Sequence, residues 1–190
     1  MGTLTEKESL KIISEMISTA KGNLKDNAFF YLLWGWLVLI ASLSNYTMLQ
    51  LHLQYAYLPW PVLMTIGGLA SAVAGYRLGK RNRVITVIDK AMMYLWWGFL
   101  VVILIILFMT GMGKISWLTT YPLIISLYGL GTFVSGGILK FKPLLIGGIA
   151  CWVISIIAFF VSPLNVLLLT ALSIVISYLI PGYMLKARKG

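Results

Sequence analysis

The chain has 190 residues, 60% of them hydrophobic and 11% charged, with a formal net charge of +10. A soluble globular domain carries about 25% charged residues, so this composition cannot clothe a large water-facing surface. Its five acids stand at positions 6, 8, 15, 26 and 89, and His52 is the one histidine, which speaks against proton-coupled transport and intramembrane proteolysis, both of which usually use titratable groups inside the bilayer.

Residues 1–27 are polar and charge-balanced: Lys7, Lys11, Lys21 and Lys25 offset Glu6, Glu8, Glu15 and Asp26. Thr3 with Glu6, or Thr5 with Glu8, fits a capping box, in which a hydroxyl and a carboxylate satisfy the free amides of a first helical turn. Leu10, Ile13, Met16, Ile17 and Ala20 then recur at helical spacing on one face, and Gly22-Asn23 reads as a helix stop. Residues 1–27 are therefore expected to form a separate cytoplasmic amphipathic helix. It would lie on the membrane surface or the bundle end, or dock through residues 3–21 to another chain or to a second copy. A polar, acid-containing segment ahead of the first apolar run is not the pattern of a secretory signal peptide.

From residue 28 onward the chain is a series of apolar segments. A spanning helix needs roughly 20 apolar residues, and six segments qualify, at about 28–48, 57–79, 91–111, 117–139, 143–161 and 163–185. Sheets with open edges cannot cross lipid, so the expected fold is all-α: six transmembrane helices in residues 28–190. The segments also repeat. Tyr31 to Ile40 (YLLWGWLVLI) and Tyr94 to Ile103 (YLWWGFLVVI) agree at seven of ten positions. Pro61, Gly68, Leu69, Val73, Gly75 and Leu78 recur as Pro122, Gly129, Leu130, Val134, Gly136 and Leu139. Gly-x-x-Leu followed by basic residues closes each even-numbered segment. The expected organisation is thus three repeated hairpins, at about 28–79, 91–139 and 143–185.

Basic residues gather after the even segments: Arg77, Lys80, Arg81 and Arg83, then Lys140 and Lys142, then Lys186, Arg188 and Lys189. The positive-inside rule places these loops and both termini in the cytoplasm. Sitting at headgroup depth in short loops, these cations suit anionic lipid headgroups and not a nucleic acid. Tyrosine and tryptophan near both ends of the segments fit interfacial belts.

Two constellations stand out inside the segments. Gly67, Ser71 and Gly75, and likewise Gly131, Ser135 and Gly136, are small residues at close-packing spacing, which serve tight helix contacts or a moving interface. Tyr31, Trp34 and Gly35 share one helix face, as do Tyr94, Trp97 and Gly98. Two such faces would line an aromatic pocket able to hold a cation, or would simply pack rings beside glycine notches. Asn45 and Asn165 are expected near the outer boundary, hydrated. Pro61, Pro122, Pro163 and Pro181 are expected near helix ends, where proline costs little. The lone Cys151 excludes an intramolecular disulfide. With so few acids and bases, no catalytic residue, no metal ligand set and no cofactor site is expected.

Through Tyr31-Leu32-Leu33-Trp34-Gly35-Trp36 and the glycine-rich fourth segment, the chain resembles a group of small uncharacterised bacterial six-span membrane proteins. In its Gly–Pro–Gly rhythm it is loosely similar to short acid-resistance membrane proteins made of repeated hairpins, from which the Trp-rich first and third segments depart. The resemblance implies a bacterial inner (cytoplasmic) membrane and brings no activity. The expectation is a non-enzymatic accessory, sensory or regulatory binding protein. The alternative is a small-molecule channel or facilitator, with a path lined by Ser71, Thr132 and Tyr128.

Overall fold

The computed structural model describes residues 6–81 and 87–187, with side chains over 28–80 and 87–187. The regular elements among the described residues are all helices: α1 (Glu6–Gln50), α2 (Pro59–Arg81), α3 (Val87–Gly111), α4 (Trp117–Ile138), α5 (Lys142–Ala158), α6 (Pro163–Ile174) and α7 (Ile180–Ala187). A π-helical turn, Val175–Leu179, joins α6 to α7 in one continuous rod.

Five segments are long and apolar enough to cross a membrane: Ala28–Gln50, Pro59–Lys80, Val87–Gly111, Trp117–Ile138 and Pro163–Ala187. The sixth expected span, α5, is shorter than these five. Pro143 fixes the first turn of α5, and the helix ends at Ala158, ahead of Ser162-Pro163. Its 17 residues rise about 25 Å, at the lower end of the length that crosses a bilayer.

The N-terminal segment also departs from expectation. Gly22-Asn23 is not a stop, since α1 runs unbroken from Glu6 to Gln50. A glycine inside a helix costs about 1 kcal/mol relative to alanine. Extending a helix that is already nucleated recovers a hydrogen bond for each residue fixed, and the apolar stretch from Ala28 supplies that nucleus.

The connections are short and fixed by local bonds. The buried Asn45 side chain donates to the Ala56 carbonyl, tying the α1–α2 link back onto α1. Asn45 is thus a structural donor in place of the expected hydrated surface residue. Between α3 and α4, Gly113 adopts φ +70°, and the Ser116 hydroxyl caps α4 by accepting from the Thr119 amide at 3.2 Å. The Thr110 and Thr120 hydroxyls meet at 2.6 Å across the same link. After α4, Lys140 takes the left-handed conformation (φ 50°) and the Phe141 amide reaches back to the Gly136 carbonyl at 2.9 Å. This is the helix-ending turn usually built on glycine.

The helices of each expected hairpin touch, but packing also links one hairpin to the next. The most extensive contact joins α4 to α5, across a boundary between expected hairpins. α1 packs on α2 and on the α6–π–α7 rod, whereas α3 packs on α4. The centre therefore consists of α1, α4, α5 and the α6–α7 rod. About half of the apolar window of the rod and 44% of those of α1 and α4 are buried, against 6% for α2 and α3, so the latter two are peripheral.

Candidate functional site

Five large rings meet in the bundle centre: Tyr31 of α1, Trp96 and Phe99 of α3, Tyr128 of α4, and Tyr178 of the π turn. Tyr31 meets Tyr178 edge-on at 5.4 Å between centroids and Trp96 at 6.0 Å. Tyr178 also meets Tyr128 edge-on at 5.7 Å, and Phe99 stacks on Tyr128 at 5.9 Å. Trp96 and Phe99 close the set at 5.1 Å. These separations fall in the favourable range for aromatic pairs.

The position of Tyr178 follows from Pro181. Proline has no amide hydrogen, and in a regular helix its ring collides with the carbonyl four residues earlier, here that of Ser177. The wide turn over Val175–Leu179 replaces the regular pattern, with the Ile180 amide donating five residues back to the Val175 carbonyl. Pro181 is therefore interior to a continuous rod and not near a helix end as expected. Glycines clamp the turn on two sides. A Cβ on Gly35 of α1 would stand 2.7 Å from the Leu179 side chain, and one on Gly147 of α5 would stand 2.9 Å from the Ser177 Cα.

The site contains two orphaned polar atoms. The Tyr31 and Ser135 hydroxyls are neighbours, yet both are buried without a partner at hydrogen-bonding geometry among the described residues. Other buried polar groups here are satisfied. Thr132 donates to the Tyr128 carbonyl at 2.6 Å, Ser177 to the Ser173 carbonyl at 2.7 Å, and the Cys151 thiol approaches that same carbonyl at 3.7 Å.

The pocket expected from Tyr31, Trp34, Gly35, Tyr94, Trp97 and Gly98 does not assemble. The first three face inward: Tyr31 into the ring cluster, Gly35 onto the π turn, and Trp34 toward α2, where its indole donates to Ser71 at 3.1 Å. Their counterparts face out. Tyr94 is 71% exposed and Trp97 62% exposed, and Gly98 has open space beside it. Trp96 and Phe99, three residues apart, hold the inward face of α3, and a helix cannot present its opposite face to the same neighbour. The missed members are Trp96, Phe99 and Tyr178. A proline inside the apolar stretch 163–185 was the available signal for the last.

The packing residues divide similarly. Gly67 receives Leu37 and Trp34, Gly131 receives Trp96 and Phe99, and Gly136 abuts Leu144 and Leu145, whereas Gly75 has nothing within 4 Å among the described residues. Among the basic residues, Arg77, Lys80, Lys140, Lys142 and Lys186 are exposed, and the Lys80 ammonium sits 4.6 Å from the centre of the Tyr76 ring. Arg83, Arg188 and Lys189 lie outside the described residues, as does the Arg81 side chain. Ser71, Thr132 and Tyr128 do not line one path: Ser71 lies between α2 and α1, Thr132 bonds to its own helix, and Tyr128 is inside the ring cluster.

No family model, no curated protein and no solved structure matches this chain.

Proposed function

We propose that this chain is a non-enzymatic integral membrane protein that works by binding, as an accessory, sensory or regulatory component. The observation that carries the reading is the contrast between centre and periphery. The centre is filled by uncharged rings and close helix crossings, while α2 and α3 attach mainly through one neighbour each and leave their apolar faces open. Such faces offer lateral contact to lipid or to a membrane-embedded partner. The basic ends of α2, α4 and α7 support an orientation with both termini in the cytoplasm of a bacterial inner membrane. In that orientation the helical extension before Ala28 projects from the cytoplasmic end of α1, and residues 3–21 are the proposed contact for a partner or a second copy.

The test separates insertion from association. The full chain and a variant lacking residues 1–22 are expressed at equal levels and recovered from membranes with their associated proteins. The truncated chain is expected to insert normally and to lose a specific partner that the full chain retains. Identical recoveries from both would overturn the reading.

A further inference from the structure

A groove runs along α2 outside the ring cluster. Ile66, Ala70, Val73 and Ala74 line it together with Phe29 of α1, and it is a shallow, open groove of about 750 Å³. Arg77 stands at its basic end and is the one charged residue among its lining. From Ile66 to Arg77 the helix rises about 16 Å, close to half of the roughly 30 Å hydrocarbon layer. The groove therefore has the depth of one leaflet, apolar along its length and cationic at its mouth. Arg77 is exposed, so its guanidinium can reach a ligand. Lys80, one turn further on, adds a second exposed cation.

We propose that this groove holds one anionic glycerophospholipid, with an acyl chain over Ala70 and Ala74 and its phosphate on Arg77. Guanidinium binds phosphate through paired, planar hydrogen bonds. A net-negative headgroup is favoured over a zwitterionic one because the latter brings its own cation toward Arg77 and Lys80. A free phosphate would leave the apolar length of the groove unused.

The experiment uses the full chain purified in mild detergent and mixed with equal amounts of dioleoyl phosphatidylglycerol and dioleoyl phosphatidylcholine. Retained lipid is read by native mass spectrometry. The expected result is one retained phosphatidylglycerol per chain, severalfold over phosphatidylcholine and not displaced by excess inorganic phosphate. Arg77→Gln should abolish the preference between the two lipids. Ala74→Phe should fill the groove and abolish retention of either, with helical content by circular dichroism unchanged. Arg77→Lys keeps the charge and should retain part of the preference. Equal retention of both lipids by the unaltered chain, an unaffected Ala74→Phe variant, or displacement by inorganic phosphate would each overturn the proposal. So would a lipid-free dimer, which would give the groove to a second copy.

Discussion

Gly129 of α4 and Gly148 of α5 face each other at a close crossing, with the Trp152 ring against the first and Phe133 against the second. A Cβ on Gly129 would stand 2.9 Å from the Gly148 carbonyl oxygen, and one on Gly148 would stand 2.8 Å from that of Gly129. Hydrogen bonds seal the crossing: the Ser126 and Ser155 hydroxyls meet at 2.7 Å, Ser155 donates to the Pro122 carbonyl at 2.8 Å, and the Trp152 indole donates to the Ser126 carbonyl at 3.2 Å. Because the atoms obstructing Gly148 are the Gly129 carbonyl oxygen and the amide and Cβ of Phe133, none of which can swing aside, a side chain there must push the helices apart. Gly148→Ala is expected to cost about 1–3 kcal/mol, the usual range for overpacking, read as a lowered unfolding midpoint in detergent. Gly68→Ala and Gly75→Ala, which meet open space among the described residues, should leave the midpoint unchanged or slightly raised. Equal losses at all three positions would contradict the crossing.

The π turn makes a second prediction. A proline forced into a regular helix interior costs about 3 kcal/mol, so removing one from a strained helix should recover a comparable amount. Here the widened turn over Val175–Leu179 has already removed the conflict with the Ser177 carbonyl, and glycine notches in α1 and α5 fit the widened shape. Pro181→Ala should therefore change stability by less than about 1 kcal/mol. A gain near the full proline penalty would mean that the turn is strained.

Much of the architecture was readable before any coordinates, because length and apolar content alone decide helix and span. The segments expected at 28–48, 91–111 and 117–139 lie close to the observed Ala28–Gln50, Val87–Gly111 and Trp117–Ile138. What could not be read is facing. In an apolar alphabet nothing marks which side of a helix turns inward, and adjacent residues differ by about 100° of rotation. The aligned repeat sets Trp34 beside Trp97, yet the packed contacts set Trp34 and Leu37 on Gly67, and Trp96 and Phe99 on Gly131. A shift of one residue is enough to turn Tyr94 outward while Tyr31 is buried. Identity in the sequence therefore located the helices but not the ring cluster. The short α5 was likewise hidden, because 143–161 is apolar beyond the point where the helix ends.

Tyr31 separates the contribution of its ring from that of its hydroxyl. The ring touches Trp96 and Tyr178, while the hydroxyl is buried without a hydrogen-bond partner among the described residues. An unsatisfied buried polar group costs about 1–3 kcal/mol. Tyr31→Phe should therefore be neutral or stabilising, and Tyr31→Ala should cost about 3–5 kcal/mol, as for other large aromatic truncations. Marked destabilisation by Tyr31→Phe would show that the hydroxyl is bonded in the folded protein, to Ser135, a water or a ligand. Ser135→Ala should mirror the phenylalanine substitution, because Ser135 is the other orphaned hydroxyl beside it.

Trp96 and Trp97 are neighbours in sequence with opposed surroundings, and that contrast is directly measurable in a bilayer. Trp96 packs within the ring cluster against Tyr31, Phe99 and Tyr178, whereas Trp97 is 62% exposed. In two variants that each keep one of these tryptophans, with the other six replaced by phenylalanine, bromine on the lipid chains should quench Trp97 strongly and Trp96 weakly. Contact quenching requires the bromine to reach the indole, and the surrounding rings cover part of Trp96. The stability readout should run the other way: Trp96→Leu should cost several-fold more than Trp97→Leu, because only the first removes contacts to other rings, worth about 0.5–1.5 kcal/mol each beyond area burial. Equal quenching would mean that α3 is rotated from the position described, and the aromatic centre would then lose two of its five members together, since Phe99 shares that face.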